Sequence, residues 1–158
     1  MGQGPTQAGF NSFVQQQMGI ATAVLPVDSI YLVWAYQQSL ALVNQMIATA
    51  SSVMYLVAVY NLAGAILLDI AQDVANAPPV TGSKPPQPFF AYTRTRLNLN
   101  SFVTGVISST SDEGTSESLV VPDQLKNLTI ADLQLAKTPW GQRYLGIAQS
   151  VGSDWGMS

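Results

Sequence analysis

Cysteine and histidine are both absent from the 158 residues. Disulfides, thiolate metal sites and imidazole chemistry go with them, which leaves carboxylates as the available metal ligands and the redox compartment unreadable. Charge is also scarce. Asp, Glu, Lys and Arg make up 9% of the chain, against roughly 25% in ordinary soluble proteins. Gln, Asn, Ser and Thr occupy the polar positions instead. Net and mixed surface charge normally keep a protein soluble and apart from its neighbours. A surface this bare is therefore expected to be covered by other copies or other proteins.

Basic residues are the scarcer sign. The formal net charge is −3, and no Lys or Arg precedes Lys84. Tight nucleic-acid binding needs basic side chains to replace condensed counterions. The nearest approach is Arg94 and Arg96 beside Phe89, Phe90 and Tyr92, which reads more readily as a solvated strand edge. An uncharged or mildly acidic wall does let DNA slide past without specific binding. The first residues, MGQGPTQAGFNSF, lack the basic and apolar regions of a secretory signal, so a product made in the cytoplasm is expected.

Catalytic constellations are missing as well. No nucleophile stands at a legible spacing from an activating base, and none of Lys84, Lys126 and Lys137 has Ser three positions before it. Asp69 and Asp73 lie one helical turn apart and could share a cation, but such a pair more often ends a helix in solvent. Asp112, Glu113 and Glu117 read as an exposed turn. The chain reads as no enzyme, with no cofactor and no metal.

Helical signals dominate what is present. Residues 1–28 form an N-terminal segment, partly flexible, in which Phe10, Phe13, Val14 and Gln17 follow the spacing of a short docked helix. Residues 29–73 are expected to form a helical hairpin, and residues 29–68 contain no charge at all. Asp28 or Ser29 caps its first helix. Val33, Tyr36, Leu40, Val43, Ile47, Ala50, Met54 and Val57 mark an apolar stripe. A break at ATASS, with Ser51 or Ser52 as cap, starts a second helix that is apolar nearly all round and so must be buried against more than one partner.

Five prolines make residues 76–90 an extended connector. Residues 96–121 read as a β-hairpin, with a turn at Ser-Asp-Glu-Gly. Short C-terminal helices are expected over residues 129–149, the second with Thr138 as cap and Pro139 in its first turn. Trp140, Tyr144, Leu145 and Ile147 form its apolar side. Residues 150–158 are a flexible tail unless a neighbour holds Trp155. The expected fold is thus mainly α with a β-hairpin: a small helical bundle of two long central helices and short C-terminal ones, plus extended arms. Residues 29–149 form the principal domain.

Three stretches in this order carry a resemblance: YLVAVYNLAG at residues 55–64, GVISSTSDEGTSES at 105–118 and TPWGQRY at 138–144. Over residues 28–149 the chain resembles the head-to-tail connector, or adaptor, proteins of tailed bacteriophages, also called head-completion proteins. Its helices carry less charge than is usual there. The resemblance implies a dodecameric ring beneath the portal protein and above the tail or neck proteins, in the virion, with DNA passing through its channel. It also implies that the last motif is a ring or portal contact.

Trp140, Arg143 and Tyr144 have the composition of an interface anchor, or else cap the core. Asn61, inside the apolar second helix, either fixes register across a ring interface or bonds local backbone. Two other readings fit the composition. One is a small phage membrane protein of the lysis or holin type with two spanning helices, although its Gln and Asn residues would sit in hydrocarbon without basic flanks. The other is a different ring or decoration protein of the virion.

Overall fold

The structure, a computed structural model, describes residues 4–101, 109–112, 115–118 and 130–151. It is a small, mainly helical bundle. Helix α1 spans Gln7–Gln16, α2 Ile30–Leu42, α3 Met46–Ala50, α4 Ser52–Ile70 and α5 Phe89–Arg96. Helices α6, Ile130–Leu135, and α7, Pro139–Val151, complete it.

Helix α4 is the axis. Its sequence has no polar face, with a mean hydropathy of 1.9, and every residue from Ala58 to Ala65 is buried. A helix without a wet side needs cover all round, and α1, α2, α3, α5 and α7 supply it. The two long helices α2 and α4 pack together as the hairpin reading expected. The start of α4 is set by Ser51, whose side chain accepts from the Met54 N–H. Ser29 stands at the cap position of α2 without a side-chain capping bond; its carbonyl takes the Leu32 N–H instead.

The apolar stripe of α2 is rotated from the one expected. Leu32, Ala35, Tyr36, Ser39 and Val43 face the core at helical spacing, while Val33, together with Val57 on α4, is exposed. Small residues decided this: Ala35 and Ser39 allow α4 to come close, and Ser39 can be buried because its hydroxyl donates to the Tyr36 carbonyl.

The N-terminal segment is no arm over its described part. Phe10 is 0% exposed and is sandwiched among Phe13, Tyr36 and Tyr60, and Val14, Ile20 and Leu25 are also core. Thr6 caps α1 by accepting from the Gly9 N–H. Residues 71–88 hold no regular element, as their prolines require. The connector is nevertheless closed on itself, with Val80 N–H on the Gln87 carbonyl and the Ser83 hydroxyl joining both sides.

The hairpin expected over residues 96–121 is not supported. Arg96 ends a helix, followed by a tight turn in which Asn98 takes a φ of 54°. Two four-residue strands, β1 (Ser109–Asp112) and β2 (Thr115–Ser118), pair antiparallel with Ser109 opposite Ser118. The rest of that region lies outside the described residues, and a ribbon this short is no layer of the fold. Helix α5 forms at residues 89–96, between the expected connector and the expected strand, because distant groups hold both its ends. The Asp73 carboxylate accepts from the N–H groups of Phe90 and Ala91, and Arg94 donates to the carbonyls of Leu68 and Ala71 at the end of α4.

Candidate assembly interface

The anchor residues read from the sequence fall in different places. Trp140 is half-buried on α7, in a T-shaped contact with Phe13 at 5.4 Å between ring centres, with the Arg143 guanidinium 5.0 Å from its ring centre. Thr138 caps the helix through the Gly141 N–H at 2.9 Å, as expected. Tyr144, Ile147 and Val151 continue the inward stripe, while Leu145 lies beside it. Burial, and then the Asp132 carboxylate, push the Tyr144 phenol above its ordinary value of 10.0. The structure thus brings Trp140 and Arg143 together, with the Trp ring covered from within the same chain.

Asn61 is 3% exposed inside the protomer. Its amide N–H donates to the Val57 carbonyl at 2.8 Å, and its Oδ1 has no partner. The local backbone bond is therefore the one formed. Trp155 lies outside the described residues, as do Glu113 and Gly114.

One residue of the acidic pair and one of the basic pair turn out to serve helix ends. Asp73 faces α5 rather than Asp69, and Arg94 closes α4. Arg96 remains exposed. Among the described residues no group of three acidic side chains gathers where a metal could sit.

What sequence reading missed is the outer face of α2. Once the inward stripe is rotated, Ile30, Val33, Trp34, Gln37, Gln38 and Leu42 face outward, and Met46 follows on α3. Trp34 is 51% exposed, Leu42 61% and Met46 69%. Val53 and Val57 add apolar surface on α4. No charge lies anywhere between Ser29 and Leu68. The signal was present as two competing stripes in one apolar helix, and only the packing partner chooses between them.

Beside this face lies a groove of about 370 Å³ between α2, α4 and α6. Leu42, Leu62 and Ile66 give it apolar walls, while Gln38, Asp69 and Gln134 bring polar groups. Gln134 donates to the Leu99 carbonyl, and its Oε1 is buried without a partner.

Helix α4 is the one helix among the described residues long and apolar enough to cross a membrane, and 61% of that span is buried inside the protein. Helix α2, at 13 residues, is about 20 Å long, short of a hydrocarbon core of about 30 Å. Comparison of the chain with family models, with curated proteins and with solved structures finds no match in any of the three.

Proposed function

We propose that this chain is a structural subunit that works by assembling, and specifically a ring-forming head-to-tail adaptor of a tailed bacteriophage virion. In this reading twelve copies dock beneath the portal, meet tail or neck proteins below, and extend a channel that DNA crosses without specific binding. The observation that carries the reading is the uncharged, partly apolar outer face of α2 and α3 on an otherwise well-packed body. Covering it removes apolar surface from water without stripping any ion of its hydration. The order of the three stretches at residues 55–64, 105–118 and 138–144 supports the adaptor assignment in particular.

The protein, expressed without detergent, should be recovered in the soluble fraction, and negative-stain images of it, alone or with a portal, should show rings. The chain should also be found in finished particles. Recovery only from membranes with detergent would instead favour the two-span lysis reading, for which α2 is short. Presence in particles without rings at the head–tail junction would favour a decoration protein.

A further inference from the structure

We propose that two copies of this chain dock through α2 about a two-fold axis, each placing its Trp34 in the groove of the other. The inference rests on the reading of the chain as an assembling subunit, and names one contact it makes. Trp34 is a knob, 51% exposed, whose indole N–H has no hydrogen-bond partner among the described residues. The groove offers what an indole needs, an apolar slot with an acceptor: Leu42, Leu62 and Ile66 for the ring, and the exposed Asp69 carboxylate for the N–H.

Trp34 does not fill the groove of its own copy. Side chains on a helix lean toward its N-terminus, whereas the groove is walled by Gln38 and Leu42, one and two turns further on. A second molecule must bring the knob. A partner with an ordinary ionic surface would bury charges against this face at a cost in desolvation, and the α2 face of another copy has none.

Knob and groove share one helix face, so the arrangement that satisfies both sets the second α2 antiparallel. Residue i then meets j while j meets i. Trp34 against Leu42 of the other copy puts Gln38 opposite itself on the axis, and carries Ile30 toward the end of the other α2, where exposed Met46 begins α3. This contact is isologous, unlike the head-to-tail contact that closes a ring, and gives isolated subunits a way to cover the uncharged face.

The native chain has no cysteine, so Gln38→Cys introduces a sole thiol. Mild oxidation should link this variant into disulfide dimers, whereas Gln149→Cys on the exposed side of α7 should stay unlinked. Adding Trp34→Glu, or Leu42→Glu as an independent variant, should abolish the link. Either should weaken self-association of the cysteine-free protein at least about tenfold by sedimentation, with an unchanged circular dichroism melt. Absence of the Q38C link, or its persistence with Trp34→Glu, overturns the two-fold contact. Rings that form while Q38C stays unlinked would overturn this contact and leave the adaptor reading standing. A Trp34-dependent link in a protein missing from particles would do the reverse.

Discussion

Tyr60 holds both sides of one residue: its hydroxyl accepts from the Thr6 N–H at 3.0 Å and donates to the Thr6 carbonyl at 3.2 Å. Tyr60→Phe leaves the Thr6 N–H without a partner, while the carbonyl keeps the Phe10 N–H, and should cost about 1–3 kcal/mol, read from urea unfolding. Tyr36 makes a parallel tie to the Pro5 carbonyl at 2.8 Å. Burial, followed by the neighbouring Tyr60 and Tyr55, raises its phenol above 10.0. The folded state therefore favours the neutral phenol. Its contribution is whole below pH 10.0, and is lost as pH climbs through the higher folded value. With neither His nor Cys present, unfolding free energy should stay level from about pH 6 to about pH 9 and fall above it. A drop already near neutrality would contradict this assignment.

Trp140 belongs to the same scale. Its ring packs on Phe13 and under the Arg143 guanidinium, so Trp140→Ala should destabilise the monomer by roughly 3 kcal/mol. A thermal melt equal to that of the native protein, with assembly lost, would return Trp140 to the interface.

At the scale of elements, two charged side chains decide the connection between α4 and α5. Asp73 takes the first free N–H groups of α5, and Arg94 reaches the last free carbonyls of α4. Asp73→Ala should cost about 1–2 kcal/mol, and speed hydrogen exchange at the amides of Phe90 and Ala91 while the centre of α4 stays protected. Exchange unchanged at those amides would show that the cap is dispensable.

The same clasp marks where sequence reading stops. Helices α2, α4 and α7 were legible because each carries its own start signal or period: Ser51 before a long apolar run, and Thr138 with Pro139 before Trp140. Helix α5 was not, since FFAYTRTR has no apolar side and its stability comes from residues up to 26 positions away. For the candidate interface, the absence of charge was legible from composition. The rotation that turns Val33 out and Leu32, Ala35 and Ser39 in was not, because all lie in a helix with two competing stripes and only α4 selects between them.

At the scale of the whole molecule, the proposed assembly would follow from how sparsely the body is charged. The outer side of α2 is neutral, and the groove beside it carries one charged side chain, Asp69. Self-association through such a surface is driven by apolar burial, so it should strengthen, or hold steady, as sodium chloride rises from low to about 0.5 M. Sedimentation over that range would test it, and dissociation by salt would point to an ionic contact instead.

Phe10, docked at the centre of the bundle with Thr6 and Pro5 tied to Tyr60 and Tyr36, makes the front of the protein a keystone. A version shortened to begin at Met18 would open a hollow against α2 and α4, and should behave as a loosened globule that binds a hydrophobic dye. Engineers wishing to tether or label the protein should therefore keep the stretch from Pro5 to Val14 intact.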